Sequence, residues 1–198
     1  MEYPETLELD ARIGRRIKAL RQSRDLTLDD LATRSGVSRA MISRVERGES
    51  SPTAALLDKL CAGLGILISA LFHEERGSGP FAARGDQPVW VDPASGYLRR
   101  AVSPPGTGSR LEIVEVEMPA GGRVLLDGPR TGFRLDQQIW LLEGELVLSL
   151  GTNEQRLAAG DCLAMLLDGP ISFHNPGTVP ARYAVVLTAA DEWNRARA

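Results

Sequence analysis

The sequence predicts an α+β chain, in which an all-α N-terminal domain of five helices precedes an all-β C-terminal domain. From Arg12 to Phe72 the apolar residues recur at helical spacing, and capping residues separate the runs. After Val89 the apolar period changes toward two, and glycine and proline turns become frequent. We therefore expect a helical domain at 1–76, a linker at 77–88 and a β domain at 89–198.

The composition is that of a folded globular chain. Of the 198 residues, 43% are hydrophobic and 25% are charged, which is close to the averages for globular domains. No apolar run approaches the length of about 20 residues that a membrane span needs, and the acidic N-terminus is unlike a secretory signal. Two distant cysteines exclude a disulfide framework. We expect a soluble cytoplasmic protein with no membrane partner.

The charge is distributed unevenly along the chain. Residues 10–60 contain 11 basic and 7 acidic residues, whereas residues 77–198 contain 11 basic and 14 acidic residues. Of the 23 basic residues 21 are arginines, whose planar donors suit phosphate and guanine recognition. A basic first part and an acidic second part indicate two separate tasks.

Two helices are predicted before the first tight turn. The first carries Ile13, Ile17 and Leu20 on one face. The second begins at the N-cap Thr27 and ends near Ser35, where a glycine supplies the turn.

Three further helices complete the predicted bundle. Ser38 caps the third helix, which ends at Gly48, and the Ser51-Pro52-Thr53 sequence begins a fourth. A short fifth helix is expected around Ser69 to Phe72.

The second and third helices have the spacing of a helix-turn-helix motif. Ala32 supplies a small residue at the close approach, Gly36 the turn, and Ile42 an apolar anchor on the second helix of the motif. The run from IGRRIKALRQSR through LTLDDLATRSGVSRAMISRVERGESSPT to LLDKLCAGLGI resembles the DNA-binding domain of xenobiotic-response-element and lambda-repressor-like regulators over about 60 residues.

This resemblance implies a set of DNA contacts. The third helix would lie in the major groove, with Arg39 and Arg44 donating to guanine edges and Ala40 and Ser43 beside them. The resemblance also implies a structural ion pair between Arg21 and Glu46. Residues at helix starts and turns would hold phosphates, namely Thr27, Ser38, Arg47, Ser51 and Thr53.

The C-terminal part consists of short alternating segments at the spacing of strands in a sandwich or barrel. In LEIVEVEM the apolar phase shifts between Ile113 and Val114, which predicts a β-bulge. The turns at Gly144, Gly160-Asp161 and Asn175-Pro176-Gly177 resemble those of the cupin double-stranded β-helix, a jelly-roll fold, from about Leu111 to Leu187.

The cupin resemblance does not extend to its metal ligands. The metal-binding carboxylate of the cupin pattern corresponds to Gln137, and its paired histidines correspond to positions within 130–133. The histidine of the second cupin motif corresponds to Ile171. We therefore expect no metal and no cofactor at that site. The cavity is expected to bind a small molecule instead, through Arg130, Arg134, Gln137, Ile139, Ile171 and Phe173.

Three functions are open from the sequence. The first is a transcriptional regulator, a homodimer on a pseudo-palindromic operator in double-stranded DNA, whose cupin-like domain senses a small-molecule effector. The second is a metal-dependent enzyme similar to the phosphonate epoxidases, which need an iron site that this chain lacks at Gln137 and Ile171. The third is a dimeric DNA-bridging protein without a ligand. We expect the regulator, with no catalytic residues.

Overall fold

A computed structural model describes residues 4–72, 79–109, 111–128 and 135–188, with side chains from Glu8 onward. The chain forms two compact units, Met1–Phe72 and His73–Ala198. The predicted order of helices followed by strands is confirmed. No helix within the described ranges has the length and apolar character needed to cross a membrane.

From Pro4 to Phe72 the first unit forms four α-helices where five helices were predicted. They are α1 (Pro4–Gln22), α2 (Leu28–Ser35), α3 (Arg39–Glu46) and α4 (Ala54–Leu64). The fifth position holds a four-residue 3₁₀ helix, Ile68–Leu71, without a side-chain cap. A segment this short cannot form the repeated bonds of an α-helix, so the tighter turn is adopted.

Local chemistry accounts for the ends of α2. Thr27 Oγ1 accepts a hydrogen bond from the Asp30 amide, and the Asp30 carboxylate accepts one from the Thr27 amide at 2.8 Å, which completes a capping box. Asp30 consequently has a pKa below its usual value, chiefly because of the Thr27 hydroxyl. Gly36 ends the helix at a φ of 71°, a left-handed conformation that favours glycine.

The helices pack around an apolar core, and α1 and α3 cross at a short distance. Ile13, Ile17, Ile42 and Leu57 are fully buried. A Cβ atom added to Gly14 would lie 2.1 Å from the carbonyl oxygen of Val45, so a glycine is required at this crossing.

The described residues of the second unit form ten strands in two antiparallel sheets. The strands are β1 (Val89–Val91), β2 (Leu98–Ala101), β3 (Leu111–Met118), β4 (Arg123–Leu126), β5 (Leu135–Glu143), β6 (Glu145–Leu150), β7 (Asn153–Ala158), β8 (Cys162–Leu167), β9 (Ile171–His174) and β10 (Ala181–Thr188). One sheet has the order β1-β2-β3-β10-β5-β8, and the other has the order β4-β9-β6-β7.

Strands β3 to β10 follow the winding of a jelly roll. Apart from the β6–β7 hairpin, neighbouring strands among these eight are not consecutive in sequence, as when two Greek keys are wound around each other. The all-β prediction is therefore correct. The ladders of the described residues form two separate sheets, however, and do not close into the predicted barrel.

The strand β3 corrects one sequence prediction. Its pairing with β10 is continuous from Leu111 to Met118, so the bulge expected between Ile113 and Val114 is absent from this described strand. Burial alternates without a phase shift, and Glu112 takes an inward position with 7% exposure. The apolar Ile113 lies on the outer face instead. A register shift occurs elsewhere, between Arg182 and Tyr183 in the β10–β5 ladder.

The Asn175-Pro176-Gly177 turn fastens one end of the sandwich. The Asn175 side chain is fully buried and donates from Nδ2 to the carbonyl oxygens of Met118 and Pro119, each at 3.1 Å. Its Oδ1 accepts from the amide of Gly177 at 2.9 Å. This asparagine therefore joins the β3–β4 turn to the β9–β10 turn.

Candidate nucleic-acid interface

One face of α3 is exposed and carries the side chains proposed to read bases. Ile42, Val45 and Glu46 point into the helical unit and are buried. The opposite positions are the predicted base-contacting ones, with Arg39, Ala40 and Arg44 exposed and Ser43 half-buried. The 3.6-residue helical period thus places four candidate residues on one side of a helix that is fixed by its buried side.

The two arginines proposed for base recognition are held weakly. Arg39 Nε lies 3.7 Å from Asp29 Oδ1, with both side chains more than half exposed. Such an exposed ion pair contributes about 1 kcal/mol or less, so it can be exchanged for a guanine edge. Arg44 is likewise exposed, and its charge contributes to lowering the pKa of Glu49 after the Arg47 hydrogen bond and charge.

Arg47, proposed as a phosphate contact, is held more firmly. Its Nε and Nη2 atoms donate to the two carboxylate oxygens of Glu49 at 2.6 and 2.7 Å, and its Nη1 atom donates to Ser43 Oγ. The hydrogen bond lowers the pKa of Glu49 and raises that of Arg47. The guanidinium is therefore oriented beside α3, and a phosphate would compete with Glu49 for it.

The four hydroxyl residues proposed to contact phosphates differ in whether a proton is available. Thr27 donates to Asp30 Oδ2 at 2.6 Å, and Ser51 donates to Asp10. Among the described residues, Ser38 and Thr53 act as acceptors, from the amides of Met41 and Leu56. Their hydroxyl protons can therefore point toward a phosphate, at the starts of α3 and α4.

A largely buried ion pair connects α1 to α3. Arg21 Nε and Nη2 donate to the two Glu46 oxygens at 2.6 and 2.8 Å, and Nη1 donates to the carbonyl of Leu26 at 2.8 Å. The side chains are 11% and 6% exposed. This bidentate geometry fits the structural role expected for the pair, because it fixes the end of α3 against α1.

The residues proposed to bind an effector lie in the β unit. Gln137, Ile139, Ile171 and Phe173 are buried on the inner faces of the two sheets. Gln137 Nε2 lies 3.3 Å from Met165 Sδ. Arg130 and Arg134 lie outside the described residues.

The metal prediction concerns the same interior. Within the ranges described, no group of three histidine, cysteine, aspartate or glutamate side chains is placed to hold a metal ion. Gln137 and Ile171 stand where a cupin would have a carboxylate and an imidazole, and an isoleucine has no donor atom.

Sequence reasoning did not select several polar groups in this interior. Tyr183 and Glu112 are buried there, and Arg99 points inward from β2. Strand alternation is the signal that could have identified Arg99 and Tyr183, but their proximity depends on strand pairing, which the alternation does not reveal.

Comparison with known proteins identifies a helix-turn-helix in the first unit. Residues 17–71 match the helix-turn-helix family model HTH_3. The HTH-type transcriptional regulator SutR of Escherichia coli (strain K12) is 42% identical over 64 residues, which are 32% of this chain and 36% of SutR. The match therefore spans about a third of SutR.

Two further proteins are similar over both units. The HTH-type transcriptional regulator PuuR of Escherichia coli (strain K12) is 27% identical over 167 residues, which are 82% of this chain and 86% of PuuR. The crystal structure of an HTH_3 family transcriptional regulator from Vibrio cholerae is 26% identical with a TM-score of 0.75. It covers 92% of this chain and 98% of that chain.

Proposed function

We propose a function from the premise that the chain belongs to the helix-turn-helix regulators of the HTH_3, xenobiotic-response-element type, with a cupin-like C-terminal domain. It binds an operator in double-stranded DNA through α3 and changes its affinity for that operator when the β unit binds a small molecule. The observation that carries this proposal is the exposed face of α3, with Arg39 and Arg44 available and Ile42 and Val45 buried behind them.

One copy of α3, with its eight residues, would contact one half of the operator. Two copies in a homodimer would present two such helices about 34 Å apart on one side of a pseudo-palindromic operator. The regulator therefore requires a dimerisation surface.

The outer face of the six-stranded sheet is suited to that contact. Leu111 and Ile113 on β3, Trp140 on β5 and Leu166 on β8 are between 36% and 58% exposed. The strand pairing places all four on one face, because Trp140 and Ile113 lie opposite the outward residues of β10. An exposed apolar sheet face of this kind favours a second copy of the chain as its partner.

Effector binding is assigned to the interior of the β unit. Inward side chains of the two sheets include Gln137, whose buried amide must be satisfied by core or ligand atoms. A ligand regulates operator binding only if it binds two arrangements of the dimer with different affinities. The sensing role thus requires binding in the β unit and a measurable change at the DNA.

The test is fluorescence anisotropy of the purified chain on the DNA upstream of its own coding region, at two salt concentrations. The double variant Arg39→Ala, Arg44→Ala should lose sequence-specific binding, because each bidentate arginine–guanine contact provides about 1 to 3 kcal/mol of discrimination. Arg156→Ala removes one arginine from the exposed strand β7 and is the matched control. It should bind as the unmodified chain does.

Two results would contradict the proposal. The first is equal binding by the unmodified chain and the double variant, and the second is failure to enrich any sequence in a genome-wide selection. Bound iron with oxygen consumption would instead favour an enzyme related to the phosphonate epoxidases. The chemistry of Ile171 argues against that alternative, because its side chain cannot replace an imidazole ligand.

A further inference from the structure

We propose that the interior of the β unit contains a binding site for a small monocarboxylate, formed by the guanidinium of Arg99 and the hydroxyl of Tyr183. This site would give the chemical class of the effector, and its regulatory role rests on the proposed function. Three observations carry it: the placement of the two residues, the aromatic surroundings, and, within the described residues, the lack of a hydrogen bond from the Tyr183 hydroxyl and of a carboxylate partner for Arg99.

Strand pairing places the two side chains in one row. Arg99 lies opposite Val116 in the β2–β3 ladder, and Val116 lies opposite Tyr183 in the β3–β10 ladder. Directly opposed side chains have Cβ atoms about 5 Å apart and share a face. Val116 is buried on the inner face, so Arg99 and Tyr183 point inward from either side of it, and both are long enough to meet above it.

The Tyr183 hydroxyl is buried, and its surroundings are largely aromatic. The residue is 1% exposed, and its ring stacks on Phe173 with centroids 6.0 Å apart and an interplanar angle of 5°. No hydrogen bond from its hydroxyl occurs among the described residues. Burial raises the pKa of Tyr183 well above its ordinary value, with a further contribution from Tyr97, so the group stays a neutral donor. A buried donor left without an acceptor is costly, and an anionic oxygen would satisfy it.

Arg99 is half-buried and lacks a carboxylate partner in the part of the chain that the structure describes. Its one hydrogen bond there is from Nη1 to Tyr97 Oη at 3.5 Å, which is long. The adjacent Arg100, on the outer face, differs because its Nε forms an ion pair with Glu115 at 3.1 Å. The buried acid of the β1–β2 turn, Asp92, instead accepts hydrogen bonds from Ser95 within its own turn.

The charge and the walls of the site define the ligand class. One guanidinium compensates one negative charge, as a carboxylate carries, and it can bind both carboxylate oxygens. A phosphate monoester carries a charge of about −1.5 to −2 and would leave part of it buried and uncompensated. Trp90 lies opposite Arg99 and meets Tyr97 edge to face at 6.2 Å. With Phe173, these rings favour an apolar or aromatic body on the acid.

The site lies away from Gln137, one of the residues that the cupin resemblance selects. Tyr183 is opposite Leu141 on β5, whereas Gln137 is opposite Leu187. Four residues along β10 correspond to about 13 Å. Phe173 is the one residue common to the two sets.

The chain offers a direct test through its three tyrosines, Tyr3, Tyr97 and Tyr183. The full chain is labelled with 3-fluorotyrosine, and its ¹⁹F resonances are assigned by single tyrosine-to-phenylalanine variants. Acetate, hexanoate and benzoate are then titrated beside the uncharged benzamide and inorganic phosphate. We expect saturable shifts of the Tyr97 and Tyr183 resonances with at least one carboxylate and none with benzamide or phosphate.

Variants and thermal unfolding separate binding from folding. Arg99→Gln and Tyr183→Phe should each weaken carboxylate binding about 10-fold or more and remove the rise in melting temperature that the carboxylate gives the unmodified chain. Arg156→Gln, on exposed β7, is the matched control and should keep both responses. Arg99→Lys is a second variant should the glutamine variant not fold.

Three outcomes would overturn the site: no shift with any of the carboxylates, equal shifts with benzamide or phosphate, or an undiminished response in Arg99→Gln. Operator binding by the same samples is measured separately. Lost operator binding with an intact carboxylate response overturns the proposed function and leaves the site. Intact operator binding without a carboxylate response overturns the site and leaves the proposed regulator.

Discussion

At the residue scale, Gly14 shows how one missing side chain allows two helices to meet. Helix propensity favours alanine over glycine by about 1 kcal/mol within a helix. At Gly14 that preference is opposed by the Val45 carbonyl oxygen, only 2.1 Å from the position of an added Cβ. Backbone atoms of α3 cannot move aside as the end of a flexible side chain can, so the steric conflict outweighs propensity.

We accordingly expect Gly14→Ala to lower the free energy of unfolding by about 2 kcal/mol, measured by urea denaturation. Gly79→Ala is the control, since an added Cβ there meets nothing within 4 Å. A Gly14→Ala variant as stable as the original chain would show that α1 and α3 can separate without cost.

At the scale of elements, ion pairs between arginine and glutamate side chains connect neighbouring strands on the outer face of the six-stranded sheet. Glu115 on β3 forms ion pairs with Arg100 on β2 at 3.1 Å and with Arg182 on β10 at 3.2 Å, and Arg84 adds a third at 3.1 Å. Arg182 also pairs with Glu143 on β5. This network spans four neighbouring strands at one end of the outer face.

The network predicts an acid-sensitive contribution to stability. Burial alone raises the pKa of Glu115, but the hydrogen bond from Arg182 and the charges of Arg84 and Arg100 outweigh it, so the pKa lies below the ordinary 4.5. A lowered folded-state pKa stabilises the fold above the ordinary value, and this stabilisation is lost as the pH falls through the folded pKa.

In urea titrations from pH 7 to pH 3, Glu115→Gln should therefore be less stable than the original chain near neutrality. The difference should shrink below pH 4.5. The exposed pair of Glu154 and Arg156 provides the comparison, because Glu154→Gln should change stability little at either pH. If the two chains differed in unfolding free energy by the same amount at every pH, the charge of Glu115 would not contribute to stability.

The DNA contacts proposed for α3 give a second prediction at this scale. Arg44→Ala should relax the base preference at one operator position, because this exposed arginine is proposed to donate to a base edge. Arg47→Ala should weaken binding to all sequences alike and lower the salt slope by about 1. Anisotropy on single-base operator variants at several salt concentrations distinguishes the two. Identical behaviour would contradict the assignment of base and phosphate roles along α3.

At the scale of the whole molecule, the proposed dimer joins two copies through the outer face of the six-stranded sheet. Trp140 lies on β5, beside the edge strand β8, between Ala184 and Cys162 on the neighbouring strands, and is 50% exposed. A charge placed there would have to be buried in the dimer, which is strongly unfavourable. The same charge in a monomer would remain in water.

We expect Trp140→Lys to give monomers in light scattering coupled to size exclusion, with an unchanged melting temperature. Its affinity for a full operator should fall toward that for a single half-site. Val179, at 58% exposure in the β9–β10 turn, lies off this face, so Val179→Lys is the control and should stay dimeric. A dimer that survives Trp140→Lys would place the interface elsewhere.

Much of the first unit could be predicted because its signals are local. The caps at Thr27 and Ser38, the turn at Gly36 and the apolar spacing through Ile42 act within one or two helical turns. The prediction of a fifth α-helix was wrong because a four-residue segment is too short to show a helical period. The exposed face of α3 was predictable for the same local reason, since its buried residues fix the opposite side.

The sequence by itself determined the order of helices and strands, the ends of the capped helices and the inward parity of residues such as Gln137 and Ile171. These follow from periods of 3.6 and 2 residues and from capping. Only the tertiary structure decided which strands are neighbours, and therefore that Arg99 and Tyr183 share a row and that Glu112 is buried in an unbroken strand. The physical reason is that strand pairing is not a local property. The β3–β10 ladder joins residues more than 60 positions apart, and alternation along a strand carries no information about its partner.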